Sequence, residues 1–133
     1  MQTMEVVAAL LRRGERFLIC RRPPHKARAG LYEFPGGKVE AGETHQAALR
    51  RECREELGID AVIEQPVADV LHQYPELTIH LTLLAATIPV GDPVALEHDD
   101  LRWITAQELD SYPFCPADIA FHGAIRALMS SKP

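Results

Sequence analysis

The chain is short of what would tie it to a polymer, a membrane or an oxidising compartment. Basic residues are in deficit, with 14 Lys and Arg against 19 Asp and Glu and a formal net charge of −5. That balance disfavours nonspecific attachment to DNA or RNA, which draws on clustered positive charge. No apolar run approaches the roughly 20 residues that a bilayer-crossing helix needs. The opening "MQTMEVVAALLRR" has no basic segment ahead of its apolar residues, which argues against a signal peptide. Cysteines are few, Cys20, Cys53 and Cys115, and lie far apart. They form neither a zinc nor a redox spacing, so the expectation is a reduced, cytoplasmic protein. Repeats and low-complexity tracts are absent, and 133 residues suit one domain spanning 1–133. The acidic balance leaves room for an anionic small molecule if metal ions bridge it to carboxylates.

What is present is a mixture of strand and helix patterns. "EVVAALL" and "RFLIC" read as a hairpin turning at Gly14, and "LYEF" as a short strand. "AVIEQPVADVLHQY" is strand-like, with Pro66 marking an edge or a bulge. In "LTIHLTLLAATI", Thr78, His80 and Thr82 alternate with Ile79, Leu81 and Leu83, the pattern of a half-buried strand. "LRWI" is a further strand. Thr105 and Glu108 form a capping box for a short helix. "PADIAFHGAIRALM" predicts a closing helix that buries Ala120, Phe121, Ala124, Ile125 and Leu128. The fold class expected is α/β.

The densest chemistry lies in "GGKVEAGETHQAALRRECREELGI", residues 36–59. Thr44 is placed to N-cap a helix and Gly58 to end it. Leu49, Cys53 and Leu57 recur every four residues as an apolar stripe. Glu52, Glu55 and Glu56 then flank that stripe on one side. Glu52–Glu56 and Arg50–Arg54 are like-charge pairs at i,i+4, each costing a few tenths of a kcal/mol. A solvated, salt-bridged face is the ordinary reading of a charged helix, but it does not favour such pairs. A divalent cation reverses the sign of the acidic one. The loop ahead of the helix, with Gly36, Gly37 and Gly42, lets backbone approach a ligand closely.

The stretch resembles the Nudix box, the signature of the Nudix hydrolases. That pattern is filled by Gly37, Glu43, Arg51-Glu52, Cys53, Glu55-Glu56, Gly58 and Ile59, with Cys53 the one soft departure, in an aliphatic slot. The resemblance implies the Nudix fold, a mixed β-sheet sandwiched between α-helices. It implies hydrolysis of a phosphoanhydride in a nucleotide, with Mg2+ (Mn2+ able to substitute) as cofactor. By the same resemblance, Glu52 and Glu56 bind metal and Glu55 completes the cluster. Gly36 offers a backbone carbonyl, and Gly37, Glu43, Arg51 and Gly58 hold the box together. Lys38 is placed to meet a phosphate oxygen, though a solvated loop lysine explains it equally well. Glu97, in "ALEHDD", matches a loop glutamate that contacts metal or helps deprotonate water in MutT-like members. His98, Asp99 and Asp100 compete for that alignment, and His98 is a base by type.

Four further stretches, "EVVAALL", "RRP", "LYEFPGGK" and "YPFCPAD", resemble the MutT-type pyrophosphohydrolases and their CTP-cleaving relatives. Arg22 then matches an arginine that meets the nucleotide, Phe34 an aromatic lining the base pocket, and Asp118 the position that reads the base. Asp118 is equally suited to N-cap the closing helix. MutT-type enzymes that favour 8-oxoguanine commonly carry Asn there. The activity expected is release of a nucleoside monophosphate and pyrophosphate from a nucleoside triphosphate, sanitising oxidised nucleotides such as 8-oxo-dGTP. The alternative is a CTP or modified-dCTP pyrophosphohydrolase, and the reading from a different class is a noncatalytic nucleotide sensor. The small-molecule substrate is the expected partner, with no nucleic acid polymer and no membrane, in a monomer or homodimer.

Overall fold

A computed structural model describes residues 3–130 of the chain. Its framework is a mixed sheet of seven strands: β1 (Thr3–Arg13), β2 (Arg16–Arg21), β3 (Tyr32–Glu33), β4 (Gly36–Lys38), β5 (Val62–Gln73), β6 (Thr78–Thr87) and β7 (Asp100–Ile104). The main order is β3-β2-β1-β6-β5, with β4 paired to β1 and β7 to β2. The hairpin turns at Gly14, whose φ of 63° is open to glycine at little cost. β1 runs parallel to β6 from Thr3↔Thr78 to Arg12↔Thr87, and β5 is the antiparallel edge beside β6. The register of β5 slips on both sides of Pro66, which has no N–H to give to the ladder.

Helices cover both faces. Helix α1 (His45–Leu57) packs Ala48, Leu49, Cys53 and Leu57 against Val7, Ala9, Leu11, Leu18 and Leu84. On the other side, Phe121 and Ile125 of the C-terminal region join Ala8, Leu10, Phe17, Ile19 and Leu83. Alternate residues of β1 therefore face opposite layers, and Val7 through Leu11 are all buried, which is why "VAALL" is continuously apolar. The same position corrects the half-buried expectation for β6. Leu81 through Ala86 are all buried, Thr82 included, because the strand lies inside the sheet with a layer on each face.

The closing helix is also corrected. It is two helices, α2 (Pro116–Ile119) and α3 (His122–Ser130), separated at Ala120 and Phe121. Phe121 is fully buried, Ala120 is exposed, and Ala124 and Leu128 are partly buried. The capping box at Thr105 is present, with its N–H donating to Glu108 Oε1 at 2.8 Å, but it starts a 3-10 turn over Ala106–Ser111. Among the described residues, no helix is long and apolar enough to cross a membrane.

One polar link across the sheet carries a pH dependence. His80 on β6 sits between Asp69 of β5, at 2.7 Å, and Glu5 of β1, at 2.9 Å. Hydrogen bonds from Asp69 and then Glu5 raise its pKa above the usual 6.5. A raised value means the charged pair stabilises the fold fully below the unfolded histidine value and less as pH climbs through the folded one. The partners are largely exposed, so the effect stays below about 1 kcal/mol. Melting of wild type and His80→Gln should differ most near pH 6 and converge as pH rises. A gap that widens with pH contradicts this.

Candidate active site

The local rules that shape α1 also aim its acids. Thr44 Oγ1 accepts from Ala47 N–H at 3.1 Å, and Gly58, at φ 67°, sends its N–H to Arg54 O at 3.0 Å. Between these ends, β1 holds β4 in register, Val6↔Lys38 to Ala8↔Gly36, against the helix. Gly36 leaves no room for a side chain against the sheet backbone, and Gly37 lets β4 lie against the Glu52 carboxylate. A Cβ on Gly36 would lie 2.0 Å from Val7 O, and one on Gly37 would lie 2.5 Å from the Glu52 carboxylate.

This junction opens into a cavity of about 360 Å³, within the size range of small-ligand pockets. Of the sequence-derived candidates, Arg22, Phe34, Gly36, Gly37, Lys38, Glu52, Glu56 and Asp118 line it. Glu55 and Glu97 do not. Successive helical residues turn by about 100°, so Glu55 falls on the outer flank of Glu52. Its side chain is 53% exposed and pairs with Arg51 Nη1 at 3.2 Å. The expected single face of three glutamates is thus an inward pair, Glu52 and Glu56, with Glu55 turned to solvent.

Glu56 is only 6% exposed. Burial, then a hydrogen bond and repulsion from Glu52, push its pKa well above the usual carboxylate range. Two carboxylates facing one another repel, and a cation between them would relieve that repulsion. Their hard oxygens suit a divalent metal such as Mg2+ or Mn2+. Gly36 N–H points to Glu56 Oε1 at a long 3.4 Å.

Arg51 braces the pair from outside. It grips Glu43 with Nε at 2.7 Å and Nη2 at 2.9 Å, reaches Glu52 at 2.9 Å, and donates to Lys38 O at 3.0 Å. The bidentate pairing with Arg51, then the Glu40 N–H, draw Glu43 down to about 2.

Glu97 approaches from the loop before β7. Val94 and Leu96 donate their N–H groups to Leu57 O and Glu56 O, at 2.9 and 3.1 Å, strapping the loop to the end of α1. Glu97 is exposed, yet near enough to add to the upward shift of Glu56. The competing residues separate cleanly. Asp99 pairs with Arg21 at 2.8 Å, and Asp100 accepts from Tyr32 Oη at 2.6 Å. His98 turns inward and lines the cavity.

The far wall is formed by Glu33, Phe34, Cys115 and Asp118. Asp118 is not an N-cap: Cys115 takes that position, and Asp118 lies inside the first turn of α2. Its Oδ1 instead accepts the Phe34 N–H at 3.2 Å. Burial first, and then Glu33, raise its pKa to about 8. Arg22 is held by Glu33 at 2.9 Å and by Ala27 O at 2.6 Å. Burial pushes Glu33 up, but hydrogen bonds and charge from His98 and Arg22 outweigh it and leave it below the usual range. Oxygen and sulfur atoms of Glu33, Cys115 and Asp118 lie within 4.8 Å of one another. Glu33 is a site residue that no sequence motif singles out. The only signal was a lone carboxylate between Tyr32 and Phe34 in an otherwise apolar strand.

A mixed sheet between helices thus carries an inward carboxylate pair beside the glycines of β4, at the edge of a cavity of small-ligand size, an arrangement suited to a divalent cation. The chain belongs to the Nudix family: the NUDIX domain model matches residues 6–122. It is 41% identical over 133 residues to the CTP pyrophosphohydrolase of Escherichia coli K12, covering 100% of this chain and 98% of that one. It is 29% identical over 119 residues to the 8-oxo-dGTP diphosphatase of the same organism, covering 89% and 92%. The solution structure of the E. coli ORF135 protein superposes with a TM-score of 0.84 at 41% identity, covering 100% of this chain and 95% of that one. The protein is a Nudix hydrolase.

Proposed function

We propose that this enzyme is a Mg2+-dependent nucleoside triphosphate pyrophosphohydrolase that releases a nucleoside monophosphate and pyrophosphate, with 8-oxo-dGTP its first substrate. The inward Glu52–Glu56 pair carries the reading. Glu52 and Glu56 hold the cation, with the Gly36 carbonyl, and Glu97 and Glu55 complete the acidic surroundings. Bound there, Mg2+ supplies charge neutralisation for the phosphates and a more acidic attacking water. Arg51 keeps Glu52 oriented through Glu43, and Lys38 at the rim meets a phosphate oxygen. Arg22 and Phe34 line the nucleoside side of the cavity.

Asp118 supports the choice of base. An ionised carboxylate only accepts hydrogen bonds and would set an oxygen against O6 of 8-oxoguanine. With its pKa at about 8, Asp118 is mostly neutral at pH 7. A neutral carboxyl has one O–H donor and one acceptor, as an Asn amide has both. It accepts from the N7–H that oxidation creates and donates to O6. The second reading, cytosine nucleotides, is favoured by the name of the full-length relative at 41% identity. The 4-amino group of cytosine donates equally well to the ionised form.

The two readings separate with pH. As pH rises through about 8, Asp118 ionises, and the kcat/KM ratio for 8-oxo-dGTP over CTP should fall. The unpaired contact costs about 1–3 kcal/mol, or roughly ten- to a hundredfold. Asp118→Asn should change the ratio little at pH 7 and hold it flat above pH 8. A ratio that ignores both pH and the substitution means this residue does not read the base. A wild-type ratio favouring CTP at pH 7 makes the cytosine reading the correct one.

A further inference from the structure

One buried ring nitrogen beside the cavity has no hydrogen-bond partner among the described residues. The His98 side chain is 5% exposed. Its Nε2 lies 2.9 Å from Glu33 Oε2, while Arg22 donates to the other Glu33 oxygen at 2.9 Å. Since Glu33 is held ionised and can only accept, Nε2 carries the proton and donates. That fixes the ring and turns Nδ1 toward the carboxylate pair. Among the described residues Nδ1 has no hydrogen-bond partner. It sits 3.9 Å from Glu56 Oε1, too far for a hydrogen bond. A buried polar atom left unpaired costs free energy unless something arrives to meet it. Two ligand atoms of one octahedral cation, each at about 2.1 Å, lie about 3.0 Å apart when adjacent and about 4.2 Å apart when opposite, and 3.9 Å falls inside that span. The gap therefore accommodates a cation shared by Nδ1 and Glu56.

We propose that His98 Nδ1 is a direct ligand of the cation bound by Glu56, and that this nitrogen tilts the site from Mg2+ toward Mn2+. The inference rests on the cation site proposed above at Glu52 and Glu56. Second-sphere fixing of the imidazole by an ionised carboxylate, here Glu33, is the arrangement that metal-binding histidines commonly use. Imidazole nitrogen favours transition-metal ions over Mg2+, which takes oxygen.

The test is pulsed EPR on the full-length protein with Mn2+ alone, without nucleotide. The expected spectrum shows coupling to a directly bound 14N, replaced by 15N coupling when the chain is grown with 15N-histidine. His98→Asn and His98→Gln should each abolish it. Each should also weaken Mn2+ by about tenfold or more, the scale of losing a metal-site partner, and Mg2+ by less. Wild-type Mn2+ that Glu56→Gln displaces, but that shows no histidine coupling, overturns this inference and leaves the carboxylate site standing. Coupling that survives in both His98 variants also overturns it, since the signal then comes from another histidine. Mn2+ binding indifferent to Glu56→Gln overturns both. If neither variant folds, the isotope comparison on the unmutated chain decides between coupling and none.

Discussion

Glu56→Gln is expected to lower turnover in Mg2+ by about a thousandfold while leaving the fold intact. A cation stabilises transition-state charge by several kcal/mol, and each 1.4 kcal/mol is tenfold. Removing the buried charge removes that contribution and keeps the shape. Stability without metal should move the other way. Burial and Glu52 raise the Glu56 pKa above its unfolded value. A carboxyl raised in this way destabilises the metal-free fold as pH climbs from the unfolded value to the folded one. The Gln variant escapes that loss, so in EDTA it should melt at or above wild type at neutral pH. It should also lose the rise in Tm that Mg2+ gives wild type by binding the native state. Near-normal turnover in Mg2+ contradicts the assignment.

The adjacent glycines should separate fold from chemistry. In Gly37→Ala the new methyl meets the Glu52 carboxylate at 2.5 Å. That carboxylate is the far end of a flexible side chain, so it can swing away at small cost to the fold. Turnover should fall by about a hundredfold, as expected when a catalytic group is misplaced by an ångström, with a melting curve close to wild type. In Gly36→Ala the methyl meets Val7 O at 2.0 Å and Ala8 Cα at 2.7 Å. Both are backbone of the sheet interior, and the β1–β4 pairing has to open. Overpacking of this kind costs about 1–3 kcal/mol or more, visible as an earlier urea midpoint. Equal behaviour of the two variants in urea melts and kinetics would sink the distinction.

Local signals in the chain foretell local structure well. Thr44 and Gly58 bound α1, Gly14 turns the hairpin, and Pro66 disrupts the edge strand, because each acts through its own backbone. Failures arise where tertiary position decides. The spacing of Ala117, Phe121 and Ile125 continues unbroken across the gap between α2 and α3, so periodicity reads one helix where there are two. β6 reads as half-buried because Thr82 is polar, yet its place inside the sheet covers both faces. Glu52, Glu55 and Glu56 are legible as a group, but which of them faces inward depends on where β4 and the cavity lie against α1. Glu33 and His98 meet across 65 residues of chain, at 2.9 Å, and no local pattern foretells that contact. The ionisation of Asp118 is a property of its burial and of Glu33 beside it, neither visible along the chain.

The central claim is that a cation at the Glu52–Glu56 pair drives attack on a nucleoside triphosphate to give monophosphate and pyrophosphate. The measurement that bears on it most directly is 31P NMR of the products from 8-oxo-dGTP and CTP, with Mg2+ and again in EDTA. The account requires pyrophosphate and nucleoside monophosphate in Mg2+ for at least one of the two, and no turnover in EDTA. Inorganic phosphate with nucleoside diphosphate as the products, or turnover that persists in EDTA, would contradict it.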